Sequence, residues 1–171
     1  NAEKMRKVLG LLLLFFVSTL VSFGQKAKPV FEVVPLGVYG GIDERNLSAY
    51  LVAPIGTKEY VCLDAGTVHS GIEKAIEKGT FSVPSSTVLR QYIKGYCISH
   101  AHLDHVSGLI INSPADSTKT VYAIAPAMKM MQNHYFNDQT WANFGDEGFG
   151  KPLKKYHFET LSFAKTIPIS N

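Results

Sequence analysis

The chain has 171 residues, 46% of them hydrophobic, and a formal net charge of +3 with its six histidines counted neutral. That length suits one domain preceded by a leader. The basic residues are scattered, with no basic run and no aromatic–basic alternation, which argues against a nucleic-acid polymer as partner.

The first segment reads as an export signal. Met5, Arg6 and Lys7 give a positive start, and Val8 to Val21 forms an apolar core of the length usual for such signals. Ser22-Phe23-Gly24 then sets small residues before Gln25, so cleavage is expected after Gly24. The apolar core, about fourteen residues, is shorter than the roughly twenty needed to span a bilayer. No cysteine follows it to carry a lipid. The expectation is therefore a periplasmic or secreted protein with no stable membrane insertion after cleavage. Residues 1–4 precede the methionine and read as extraneous.

A short linker, Gln25 to Pro29, leads into a β-rich run from Val30 to Pro35, and residues 30–171 read as one domain. Leu36 to Asn46, with three glycines, reads as a loop. Leu47 to Ala53 and Glu59 to Leu63 are further β-type runs, separated by the turn residues Pro54 to Thr57. The second run ends in Asp64-Ala65-Gly66-Thr67, before helical spacing at Ile72, Ala75 and Ile76. An Asp there is placed to cap that helix. Gly79 to Ser86 is expected as loop and Thr87 to Ile93 as helix. Gly95 to Ser99 is a short apolar strand.

That strand delivers His100-Ala101-His102-Leu103-Asp104-His105. Three imidazoles and a carboxylate in six residues are a dense set of donors for a borderline divalent metal such as zinc. His100 and His102, two apart on extended chain, project to one side. Asp104 and His105 are adjacent and diverge. The spacing therefore predicts half-shells for two ions rather than one closed site. A helix follows from Asp104 to Asn112 and stops at Pro114. Val121 to Ala125 is the next strand, and Pro126 opens a helix to about His134. Strands first and strand–helix alternation after them favour layered α/β packing.

The motif, with its continuation through Val106, Gly108-Leu109-Ile110-Ile111 and Ser113-Pro114, resembles the signature of the class II cyclic-nucleotide phosphodiesterases of the metallo-β-lactamase superfamily. The resemblance implies an αββα sandwich, of which this chain would hold the first half. It implies His100 and His102 on a first metal and Asp104 and His105 on a second, with two zinc ions expected in the complete protein. It gives Asp104 a catalytic part in orienting a metal-bound hydroxide. The implied substrate is a small cyclic nucleotide, cyclic AMP going to 5′-AMP, with cyclic GMP also possible. It also gives Asp64 a second reading, orienting the metal-binding loop, which is compatible with capping. The family's remaining ligands lie beyond the matched region, and Ile167 to Asn171 resembles the approach to the next of them. This piece would then be inactive alone. Another hydrolase of the superfamily, such as a β-lactamase, thioesterase or nuclease, is the alternative, as is a non-catalytic metal-binding module.

Three further features stand open. Phe136 to Phe144 interleaves aromatics with amides. Asn137, Trp141 and Asn143 are candidates to stack on and hydrogen-bond a purine, or they belong to a buried turn. A similar segment follows the motif in the resembled family, although Ala142 stands where a Pro is usual. His69, His134 and His157 lack partners at metal spacing and suit surface or capping roles. Cys62 and Cys97 allow a disulfide in an exported protein, or serve as small hydrophobes inside strands.

Overall fold

The computed structural model describes residues 28–163 and 166–168. The expected leader, the start of the linker and the last residues of the Ile167 to Asn171 stretch lie outside the described residues. Six strands form one sheet in chain order: β1 (Phe31–Gly37), β2 (Ala49–Pro54), β3 (Tyr60–Leu63), β4 (Ile93–Ile98), β5 (Lys119–Ile124) and β6 (Tyr156–Leu161). β1, β2 and β3 pair antiparallel, and β3 to β6 pair parallel. Parallel neighbours need crossovers, and these carry α1 (His69–Glu77), a short helix α2 (Ser85–Thr87) that widens into a π turn (Val88–Tyr92), and α3 (Leu103–Asn112). The β5–β6 crossover starts with α4 (Ala125–His134). Among the described residues no helix is long and apolar enough to cross a membrane.

The register explains the core. Val34, Leu51, Cys62, Tyr96, Val121 and Phe158 are successive cross-strand partners. All are buried in one cluster with Ile72, Leu109, Met128 and Met131 from the helices. Each such side chain contributes about 1.5–3 kcal/mol by leaving water. The alternate row runs Tyr50, Leu63, Cys97, Tyr122 and Glu159. It lies on the other face, where Leu63 is exposed, as is Val33 on β1.

Three expectations are corrected. The helix expected over Thr87 to Ile93 is mostly a π turn that ends where β4 begins, because Ile93 is already extended and pairs with Tyr60. β5 starts two residues before Val121, at Lys119. β6 was not anticipated, although its alternation of buried Tyr156 and Phe158 with exposed His157 is a strand pattern.

Candidate metal centre

The motif sits where β4 ends and α3 begins. His102 is the extended residue before α3, and its carbonyl accepts from the His105 N–H at 2.9 Å. That turn folds His105 back over His100, so their ring centroids lie 4.0 Å apart. The His100 and His102 centroids are 4.6 Å apart. Asp104 occupies the first turn of α3, where a negative charge is favoured by the helix dipole. Its Oδ2 is 3.4 Å from His105 Nε2. The expected divergence of Asp104 and His105 is not found, since their side chains approach each other. The helix starts at Leu103, one residue early, and brings all four side chains to one place.

Asp64 organises the place. It ends β3 with φ +54°, a left-handed backbone that non-glycine residues rarely adopt. Its Oδ1 accepts from the Ser99 N–H at 2.8 Å. Its Oδ2 receives the hydroxyls of Ser99 at 3.0 Å and Ser48 at 3.4 Å, and lies 2.7 Å from His105 Nδ1. One carboxylate thus ties β2, β4 and α3 together. It does not cap α1: the residue before that helix is Val68, with no side-chain cap.

Behind Asp64 the loop runs against α3 backbone to backbone. The Ala65 N–H donates to the His105 carbonyl at 2.7 Å, and the Gly108 N–H donates to the Gly66 carbonyl at 2.9 Å. A Cβ on Gly66 would stand 2.0 Å from the Asp104 carbonyl oxygen, and one on Gly108 would stand 2.7 Å from that of Ala65. Only glycine permits this approach. Thr67, almost fully buried, accepts from the Leu47 N–H and donates to the Glu44 carbonyl, fastening the β1–β2 loop beside the motif. Sequence reasoning missed Ser48, Thr67 and Ser99. The run Asp64-Ala-Gly-Thr67 was the available signal, since short polar and glycine residues after a strand mark a close approach.

A groove of about 320 Å³ opens beside the imidazoles, lined by His100 and His102 at one end and by Ile124, Pro126, Met130 and Tyr135 further along. The Tyr135 hydroxyl donates to the Ala101 carbonyl at 2.9 Å, joining the groove to the motif. The purine-binding expectation for Asn137, Trp141 and Asn143 meets a different arrangement. Asn137 accepts two loop N–H groups and donates to the Asn133 carbonyl. Asn143, fully buried, donates to the Glu147 and Phe149 carbonyls and accepts from the Gly145 N–H. Trp141 Nε1 donates to the Ser113 hydroxyl. The polar groups of Asn137 and Asn143 hold their own turn, and that of Trp141 ties the turn to the end of α3.

His69 pairs with Glu73 on the α1 surface, His134 ends α4, and His157 lies 2.5 Å from Asp146. Both cysteines are free thiols.

The donor set has the chemistry of a divalent-metal site: three imidazoles and a carboxylate joined in a row, His102 to His100 to His105 to Asp104, with the Nδ1 atoms of His100 and His105 already engaged. Among the described residues no group of three or more His, Cys, Asp or Glu side chains is arranged to enclose an ion.

The model of the class II cAMP phosphodiesterases matches residues 30–170. The chain belongs to that family. It is 41% identical over 170 residues to a probable 3′,5′-cyclic-nucleotide phosphodiesterase of Yersinia pestis, covering 94% of this chain and 50% of that protein. It is equally similar to the 3′,5′-cyclic-nucleotide phosphodiesterase of Aliivibrio fischeri, covering 94% of this chain and 51% of the other. Among solved structures, unliganded yeast PDE1 superposes with a TM-score of 0.70 at 22% identity, over 81% of this chain and 52% of that one. The metallo-β-lactamase fold protein YhfI of Bacillus subtilis superposes at 0.52 and 16% identity, over 81% of this chain and 48% of the other. These likenesses give the fold. The family member described here thus has a metallo-β-lactamase fold, and it spans about half the length of its curated relatives.

Proposed function

We propose that the complete protein hydrolyses the 3′ ester bond of 3′,5′-cyclic AMP to give 5′-AMP, and accepts cyclic GMP as well. The observation that carries the proposal is the gathering of His100, His102, Asp104 and His105 around the Asp64 carboxylate, in a chain of this family. Two zinc ions, when bound, would supply hydroxide at neutral pH and offset the negative charge of the phosphodiester. The four motif side chains would contribute the part of their binding that this chain holds. Asp104, about a quarter exposed, is assigned to orient the attacking water. Attack at phosphorus in line with the 3′ oxygen breaks that ester, and the oxygen leaves as the ribose hydroxyl. The apolar groove beside His100 offers a bed for the base, with Met130 and Tyr135 along it. The 171-residue piece, with four donors, would not turn over substrate alone, since catalytic zinc takes about three protein ligands per ion. Export with cleavage after Gly24 belongs to the same reading. N-terminal sequencing of secreted material tests it.

The test of function is 5′-AMP release by the purified complete protein, with metal counted per chain. Asp104→Ala should remove most activity, by about a hundredfold or more, while sparing the fold, because that side chain stands near solvent. Near-normal turnover in that variant would sink the assignment to Asp104. Hydrolysis of a thioester or a β-lactam with none of cyclic AMP would overturn the substrate.

A further inference from the structure

We infer that Ser99 is the positioning residue that decides which nitrogen of His100 faces a metal, by relaying the Asp64 carboxylate to that imidazole. The inference rests on reading the motif as a metal centre, but not on the substrate. Ser99 touches Asp64 twice, through its N–H to Oδ1 at 2.8 Å and its hydroxyl to Oδ2 at 3.0 Å. The same hydroxyl oxygen lies 3.0 Å from His100 Nδ1.

A hydroxyl has one proton to give and two lone pairs with which to accept. Carboxylate oxygens only accept, so the Ser99 proton goes to Asp64 Oδ2. What remains at the Ser99 oxygen for His100 is a lone pair. His100 must then carry its proton on Nδ1, which leaves the lone pair on Nε2 for a metal. His105 is set in the same way but directly, by its Nδ1 contact of 2.7 Å to the same Oδ2. One carboxylate thereby fixes two imidazoles, and Ser99 supplies the reach to the farther one. His102 differs: it touches the His100 ring, and no hydrogen bond from its ring is found among the described residues. Its tautomer is not set in advance.

The relay is tested in the complete protein, stripped of metal, with ¹⁵N-labelled imidazoles at a pH where they are neutral. The expected result is His100 protonated at Nδ1. Ser99→Ala should mix its tautomers and weaken zinc binding about tenfold, the effect usual for losing a partner of a ligating histidine. Ser99→Thr keeps the hydroxyl and should restore both. The Ser99 side chain is exposed, and its backbone bond to Asp64 survives either change, so the variants should fold. A wild-type His100 protonated at Nε2 would overturn the relay whatever the variants do. So would a Ser99→Ala protein whose tautomer and zinc affinity stay within about twofold of wild type. Ser99-dependent zinc binding in a protein that leaves cyclic AMP intact would support the relay while removing the proposed substrate.

Discussion

The two ends of the parallel strands each carry a carboxylate with four donors, and they are built to opposite purposes. At the end where β5 and β6 begin, Asp116 accepts the hydroxyls of Tyr96 at 2.7 Å and Tyr156 at 2.9 Å. It also takes the Lys119 ammonium at 2.7 Å and the Ser117 N–H at 2.8 Å. Every donor there stops at Asp116 or turns back to the main chain, as the second Lys119 bond to the Leu89 carbonyl does. At the end where β4 finishes, the donors to Asp64 carry on. His105 keeps a second nitrogen, and Ser99 leads to His100. The Asp116 side chain is fully buried, while Asp64 is 14% exposed. A carboxylate whose partners are exhausted fastens a fold. A carboxylate whose partners have atoms left over aims them at something else.

Removing each carboxylate should separate the two purposes most sharply. Asp116→Ala leaves a Lys119 side chain that is 2% exposed without its counter-charge, a loss of about 3–5 kcal/mol. It also strips two buried hydroxyls of their acceptor, at about 1–3 kcal/mol each. The variant should be largely unfolded at growth temperature. Asp64→Ala should cost the fold less and metal binding more, because its donors lie near water. Urea unfolding with zinc titration checks both. An Asp64→Ala protein less stable than Asp116→Ala would erase the distinction.

A smaller effect distinguishes the buried end by pH. Burial, reinforced by the charge of Asp116, raises the phenols of Tyr96 and Tyr156 well above their usual 10.0. Burial likewise raises the Cys62 thiol well above 9.0. The folded chain keeps these protons where the unfolded chain has lost them, so stability is full below about pH 9 and falls as pH rises further. Lys119 opposes this, since burial lowers its ammonium from 10.5 against the pull of Asp116. In that window the unfolded state binds the extra proton, and stability rises with pH. Lys119 stands against these three, and burial raises Tyr60 and Cys97 in the same direction, so the thermal midpoint should drop between about pH 9 and pH 11. Tyr156→Phe should flatten the decline. A level profile across that range would sink the account.

The comparison also explains what could be read beforehand. His100, His102, Asp104 and His105 fall within six residues and carry their chemistry in their names. The β-hairpin start and the helix after Pro126 follow from local patterning, and so were legible. Asp64 was legible as important but not in its role, since capping and loop-holding use the same residue. The contacts that decide between them join Asp64 to Ser48, Ser99 and His105, which are 16, 35 and 41 residues away. Asp116 was invisible: nothing near it is motif-like, and Tyr156 is 40 residues away. The amide-rich turn stayed open between two readings for the opposite reason. Asn137 and Asn143 are suited to a base and equally suited to closing a loop, and only burial tells which bonds they make.

The smallest expected effect concerns the two cysteines, and it shows how little separates the ends. Cys62 pairs with Tyr96 across β3 and β4, while Cys97 pairs with Leu63. The two cysteines are therefore offset by one residue in register, and alternation sends their side chains to opposite faces of the sheet. Cys62 lies on the helix face, fully buried, with its Sγ–H donating to the Asp64 carbonyl at 3.0 Å. Cys97 lies on the other face, half-buried. No rotamer change brings them into bonding range without breaking the β3–β4 ladder, which carries Asp64 and the motif at its end. A bridge closing that loop would be worth about 4 kcal/mol, so its absence is easy to detect. Reductant should leave the thermal midpoint within about 1 °C of its value without reductant, because there is no cross-link to lose. A thiol reagent should label Cys97 in the native protein and reach Cys62 only on unfolding. Labelling at Cys97 should also be slow, as burial raises its thiol too. A reductant-sensitive midpoint, or equal protection of both thiols, would mean that the register is wrong, and the position of Asp64 with it.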